Sequence, residues 1–322
     1  MYFGFLYNFT SPNTRKAYAK DLKKYLYFLH TFFPGLDELR AEHAHVVAYK
    51  NYLLQGSTET ESHVRERGEG LTHLSHRTIN RHLACVWSFY QYLFDQGLVS
   101  DNPARLIKRF RISHEGKTMD LADHQVLDLL AAVDRSTPAG LLHYALLMVL
   151  FTTGMRHHEL THMRLRNLTY ENTFLVFKYK AKGDKEMVVP VHPKAEAAIG
   201  EYLAWCKEQG YSLKDDDYIF RPTKNPRSKG RGLSALNKAL DTKALAYIIK
   251  KYAQKIGIQG KITPHSARAT VIGHLLAKGI SIDRVADFVG HKNISTTKSY
   301  NRRQAKLENN LSFALDYAES RD

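Results

Sequence analysis

The stretch NTFLVFKYKAKGDKEMVVPV, residues 172–191, interrupts a chain that otherwise runs in helical periods. β-branched and aromatic residues crowd both of its halves, and Lys182-Gly183-Asp184 lies between them. This is the composition of two short strands joined by a turn. The stretch therefore predicts a small antiparallel β element, with Lys182 at its tip, inside a mainly α protein. On its N-terminal side, LADHQVLDLLAAVD and LLHYALLMVLFTTG are apolar enough for buried helices. On its C-terminal side, helices are predicted over residues 194–209, 233–256, 265–278, 282–289 and 307–318.

Further upstream the pattern is helical throughout. Ser11-Pro12-Asn13-Thr14 is a helix start, and Tyr18, Leu22, Tyr25, Leu26 and Leu29 then recur at helical spacing between lysines. AEHAHVVAYKNYLLQG is a second helix. STETESHVRERGEG, within residues 57–70, is polar and charged and reads as a mobile loop. A third long helix follows, with Ile79, Leu83, Val86, Trp87, Tyr90 and Leu93 as its apolar stripe and Arg77 and Arg81 one turn apart. The basic, turn-rich IKRFRISHEGK after Asn102-Pro103 reads as a linker. The predicted organisation is a helical domain over 1–108, a linker over 109–117 and a larger domain over 118–322.

Composition narrows the function. Of 322 residues, 43% are hydrophobic, which argues for folded globular structure, and the net charge of +15 favours a polyanionic partner. The cations are dispersed through periodic sequence, as on a folded surface that wraps its ligand. No apolar run approaches the length of a membrane span, and MYFGFLYNFT, short and without an early basic region, does not read as a signal peptide. The two cysteines, Cys85 and Cys206, make no disulfide framework and are compatible with a reducing cytoplasm. No Walker, dinucleotide or serine-elbow sequence is present, and the histidines lack zinc spacing.

The groups that could carry chemistry are individually bland. Arg156 follows a turn glycine in GMRHHEL, with Glu159 on the predicted next helix; a planar guanidinium there suits phosphate, but a surface ion pair would look the same. Lys182 at a hairpin tip is by default exposed charge. His265 and Arg268, three apart after Pro264, share a face of a first helical turn, where free N–H donors also favour an anion. His274, farther along, suits packing or surface equally. HKNISTTKSYNRR, residues 291–303, sets Tyr300 between His291 and two arginines. The loop RPTKNPRSKGRG holds five Lys or Arg and no acid; Lys224, Arg227, Lys229 and Arg231 are candidates for phosphate contacts, as are Arg77 and Arg81, against a merely solvated basic surface.

In combination these groups gain specificity. GMRHHEL, KAKGDKEMVVP, HSARATVIGHLL and VGHKNISTTKSY resemble, in order, the sequence boxes of the tyrosine recombinase, or phage integrase, family. SPNTRKAYAKDLKKYLYFL and RTINRHLACVWSFYQYLFDQGLVSDNPA are similar to its helical core-binding half, particularly in Xer-like members. The resemblance implies a two-domain, C-shaped clamp on duplex DNA. It also implies an active site of Arg156, Lys182, His265, Arg268, His291 and Tyr300, supported by Glu159. Ala269 departs from the pattern, since many relatives carry a second histidine there.

What the resemblance implies chemically is strand transfer without a cofactor or metal. Tyr300 attacks the scissile phosphate to give a 3′-phosphotyrosyl bond and a free 5′-hydroxyl, Arg156 and Arg268 hold the non-bridging oxygens, and Lys182 protonates the leaving oxygen. His265 exchanges the tyrosine proton, and His291 donates to the phosphate or orients it. The expected enzyme is a site-specific DNA recombinase, cytoplasmic and DNA-associated. It would be monomeric or weakly oligomeric when free and would form a tetrameric synapse on paired sites through a Holliday junction, with a partner recombinase or accessory protein admitted. A topoisomerase-like enzyme and a DNA-binding regulator are the competing readings. The apolar face Leu307, Leu311, Leu315 and Ala318 packs either within its own domain or, as the resemblance implies, on a neighbouring protomer.

Overall fold

The computed structural model describes residues 1–55, 74–112, 119–181, 185–223, 237–291 and 293–304. The polar loop at 57–70, most of the expected linker, Lys182, the loop cations Lys224, Arg227, Lys229 and Arg231, and the predicted helix at 307–318 lie outside the described residues. The chain divides into two compact units, Met1–Ser113 and His114–Asp322. Among the described residues no helix is long and apolar enough to cross a membrane.

The first unit is helical: α1 (Tyr2–Tyr7), α2 (Pro12–Phe32), α3 (His43–Gln55) and α4 (His76–Asp95). The starts of α2 and α4 follow from local chemistry. Ser11 has extended backbone and accepts the Thr14 N–H, with proline at the first helical position, and Ser75 does the same for Thr78. The stripes of α2, α3 and α4 meet in a core that includes Tyr25, Leu29, Tyr49, Leu53, Ile79, Leu83, Phe89 and Leu93. Trp87 differs from its expected place in the stripe: it is 38% exposed, because it sits at the border of the buried face. Phe110, within the expected linker, stacks on His76 with centroids 4.3 Å apart, and its backbone N–H and C=O both pair with the Asn80 amide.

The second unit begins with α5 (Asp123–Ala131), α6 (Pro138–Thr153) and the single turn α7 (His157–Thr161). Strands β1 (Leu168–Glu171), β2 (Phe174–Lys180) and β3 (Glu186–Pro190) then form one antiparallel sheet in the order β1-β2-β3. The predicted two-stranded element is β2 and β3, with Lys180 opposite Glu186 at the tip end; β1 is an addition that pairs Leu168 with Phe177. Helices α8 (Pro193–Glu208), α9 (Thr242–Lys255), α10 (Pro264–Ala277), α11 (Ile282–Phe288) and α12 (Ile294–Gln304) complete it. The helix predicted from residue 233 starts at Thr242, where the Asp241 carboxylate accepts the Lys243 N–H and caps it.

Helix α6 is apolar around most of its circumference and is accordingly central. Leu146, Leu147 and Leu150 are fully buried in a core shared with Phe177, Ile199, Tyr202 and Ile249. A smaller cluster of Ala269, Ile272, Val285, Val289 and Tyr300 joins α10, α11 and α12. Ala269, the position that departs from the family pattern, is thus a core residue packed in the same cluster as Tyr300.

Candidate active site

The C-terminal ends of α6 and α11 and the N-terminal ends of α7 and α10 converge beside α12 and strand β2. α6 terminates at Gly154, whose φ of +61° is a left-handed conformation that glycine adopts without penalty. The chain turns there and places Arg156 just before α7. The Glu159 carboxylate then accepts from the Arg156 backbone N–H at 3.2 Å and from its Nη1 at 3.0 Å, so one acid both caps α7 and aims the guanidinium. Arg156 Nη2 donates to the Gly290 carbonyl at 3.0 Å.

Arg268 comes from α10 and is 3% exposed. Its Nη1 donates to the Gly154 carbonyl at 2.7 Å, and its Nη2 donates to the Val289 carbonyl. Both arginines therefore rest on carbonyls at the C-terminal ends of α6 and α11, where the helix dipole favours a cation. Burial, and then the neighbouring Arg156 charge, push the Arg268 guanidinium down to about 10, which leaves it charged at neutral pH. The buried Arg268 and the half-buried Arg156 are neighbouring cations that could share an anion.

Tyr300 lies on α12 and is 7% exposed. Its Oη is 3.2 Å from Nε2 of His265, which stands in the first turn of α10 after the Thr263 cap. The His291 ring is nearly parallel to the Tyr300 ring, 12° between planes with centroids 6.3 Å apart. His291 Nδ1 is 2.8 Å from Thr297 Oγ1. Burial first, then Arg268, Arg156 and His265, push the His291 imidazole down to about 4, so it is neutral at physiological pH.

The structure thus brings Arg156, Glu159, His265, Arg268, His291 and Tyr300 together from α7, α10, α12 and their flanking turns. Lys182 lies outside the described residues, but the base of its hairpin is held: Ala181 N–H donates to the Lys185 carbonyl at 2.8 Å, and Lys185 Nζ is 3.6 Å from Asp287. His274, left open between packing and surface, is a tie, with ring nitrogens 2.8 Å from the Leu121 carbonyl and 2.8 Å from Asp123.

Two residues escaped sequence reasoning. Tyr179 on β2 hydrogen-bonds Glu159, and burial followed by that carboxylate pushes its phenol up; inward alternation in the strand was the available signal. Thr297 is fully buried, and its place one turn before Tyr300 was the only hint. The basic surface also needs correction. Arg221, at the head of the expected phosphate-binding loop, is 1% exposed and donates through Nη2 to the Ser212 carbonyl at 2.7 Å, so it is a core group unable to reach a backbone phosphate. Arg81 lies 3.0 Å from the buried Asp21 carboxylate, whereas Arg77 is exposed and has no ion pair among the described residues.

Sequence and fold comparisons identify the family to which this chain is similar. The phage integrase family profile matches residues 120–306, and the phage integrase N-terminal SAM-like domain matches residues 6–97. Tyrosine recombinase XerD of Listeria innocua is 29% identical over 292 residues, 90% of this chain and 88% of that protein. Tyrosine recombinase XerC of Chlamydia trachomatis serovar L2 is 28% identical over 240 residues, 74% and 71% of the respective chains. In fold, the chain is similar to the XerH site-specific recombinase in a post-cleavage complex with palindromic difH substrate, with a TM-score of 0.68 and 19% identity over 93% of this chain and 78% of that one. It is also similar to a lambda integrase tetramer bound to a Holliday junction, with a TM-score of 0.62 and 15% identity over 91% and 72%.

Proposed function

Since the chain belongs to the phage integrase family and is an enzyme of the tyrosine-recombinase type, we propose that it breaks and rejoins DNA strands at specific sites through a covalent bond to Tyr300. The observation that carries this reading is Tyr300 Oη at 3.2 Å from His265 Nε2, in a site with two arginines whose guanidinia are held on backbone carbonyls.

The steps follow from the groups. A phenol with an ordinary pKa of about 10 is neutral near pH 7 and attacks poorly until it loses its proton. Tyr300 O–H donates to His265 Nε2, which takes that proton as the phenolate oxygen forms its bond to phosphorus. Arg156 and Arg268 neutralise the non-bridging oxygens as negative charge builds on them. Because their donors are fixed before substrate arrives, little reorganisation accompanies the transition state. The bond from phosphorus to the 5′-oxygen breaks, Lys182 supplies the proton to that oxygen, and a 3′-phosphotyrosyl link remains. The link conserves the phosphodiester energy, so attack by an incoming 5′-hydroxyl reverses the step and returns the proton to Tyr300.

The substrate is double-stranded DNA carrying a recombination site, and strand exchange takes place in a tetrameric synapse through a Holliday junction. Supporting this are the net charge of +15 and the fold shared with the XerH and lambda integrase complexes. A suicide substrate with the native site tests the reading: the wild-type chain should give a denaturation-resistant adduct that peptide mapping places at Tyr300. Tyr300→Phe should abolish the adduct and retain DNA binding. An adduct that persists in Tyr300→Phe sinks the assignment. Adduct formation without recombinant products from paired sites would favour a topoisomerase-like enzyme, and binding without any adduct a regulator.

A further inference from the structure

We infer that Thr297 is a positioning residue that holds His291 in the tautomer with its proton on Nε2, the form in which the donor role already expected of His291 can be filled. This rests on the phosphoryl-transfer reading and divides the labour between its two histidines.

The geometry is simple. Thr297 precedes Tyr300 by one turn on α12, so the two side chains share a helix face. Thr297 is 0% exposed, and its Oγ1 lies 2.8 Å from His291 Nδ1. The His291 ring in turn runs parallel to the Tyr300 ring. A single helix therefore carries the nucleophile and the group that fixes the imidazole beside it.

Which atom donates follows from accounting for protons. The groups around the ring are Arg268, Arg156 and His265, and burial among them keeps His291 neutral. A neutral imidazole has one N–H and one acceptor nitrogen, and the hydroxyl between partners can give or receive. If Nδ1 carried the proton and donated to Thr297, the threonine O–H would be buried with no other acceptor among the described residues. Buried donors without a partner are strongly disfavoured. If Thr297 donates to Nδ1, its proton is used, the Nδ1 lone pair is used, and the ring proton goes to Nε2. His265 has the complementary duty under the general-base reading: with Nε2, 3.2 Å from Tyr300 Oη, accepting the phenol proton, its own proton belongs on Nδ1 when the ring is neutral. The two histidines thus hold opposite tautomers, one receiving the phenol proton and the other offering a proton toward the phosphate.

The test reads the tautomer directly and the chemistry separately. In the full-length chain with 15N-labelled histidine, two-bond 15N–1H correlations report which ring nitrogen is protonated, and His291→Gln identifies the resonance. The wild type should show the Nε2–H pattern. Thr297→Val, close in shape but without the hydroxyl, should lose that pattern. It should also slow adduct formation on the suicide substrate by about tenfold or more, with DNA affinity unchanged. Thr297→Ser, which restores the hydroxyl, should recover both the tautomer and most of the rate. An Nδ1–H pattern in the wild type, or wild-type cleavage by a folded Thr297→Val chain, overturns the inference. Absence of any Tyr300 adduct from the wild type overturns the underlying reading instead, and the NMR pattern still decides the tautomer.

Discussion

Arg77 and Arg81 stand one turn apart on α4 with the same side chain, and their surroundings separate them. Asp21 is 1% exposed, and Arg81 Nη2 is 3.0 Å from its Oδ1, with His82 Nε2 at 3.5 Å. Burial raises the Asp21 carboxyl, with Arg81 opposing it. Removing Arg81 strands that carboxylate, so Arg81→Ala should lower unfolding stability by about 1–3 kcal/mol, measured by urea denaturation. Arg77→Ala should leave the midpoint unchanged and weaken DNA binding alone. A second residue-scale effect concerns acid. His143 on α6 has Nδ1 2.9 Å from Tyr252 Oη, and burial, then Lys251, push it down to about 4. Between its ordinary value near 6.5 and about 4, the unfolded chain takes up a proton that the folded chain refuses. Stability is therefore held above pH 6.5 and lost as pH falls toward 4. His143→Asn should make this decline shallower by up to one proton, read from unfolding midpoints against pH. Neither contrast is visible in sequence, where Arg77 resembles Arg81 and His143 resembles any histidine on an apolar helix.

At the scale of elements, the turn between α11 and α12 does most to build the site. Gly290 has φ +65°, and a Cβ there would come 3.2 Å from Met187 Cε and Sδ on β3. Its carbonyl also holds Arg156 Nη2. Gly290→Ala should cost about 1–2 kcal/mol in stability. Because the strained turn carries an arginine acceptor, it should also reduce adduct formation in the fraction that remains folded. Equal adduct yields per folded molecule would show that Arg156 needs no fixed carbonyl. The start of α2 was legible because Ser11 stands beside periodic sequence, and the first turn of α10 because Pro264 opens it. β1 was not, because LTYE is too short to display alternation, and only pairing with β2 makes it a strand. Over the described residues 237–241 the expected helix is not formed, and Asp241 is the start signal that caps α9 at Thr242.

Over the whole molecule, the main cores form separately, one in Met1–Ser113 and one in His114–Asp322, and the sequence carries a net charge of +15. If phosphate contacts supply most of the affinity, binding to duplex DNA should weaken roughly 10³- to 10⁵-fold between 50 and 200 mM salt for a footprint of six to ten contacts. A titration showing little salt dependence would place the recognition elsewhere. By itself the sequence determined the helical character, the pairing of β2 with β3, the family and the candidate residues of the proposed site, because these depend on periodicity, capping and local motif order. Tertiary structure alone decided which cations are free. It buried Arg221, committed Arg81 to Asp21, and brought Tyr179 and Thr297 into a site that their sequence neighbours do not announce. The reason is physical: a side chain's charge state, tautomer and available donors depend on desolvation and on partners supplied by other elements, and those meet only when the chain has packed.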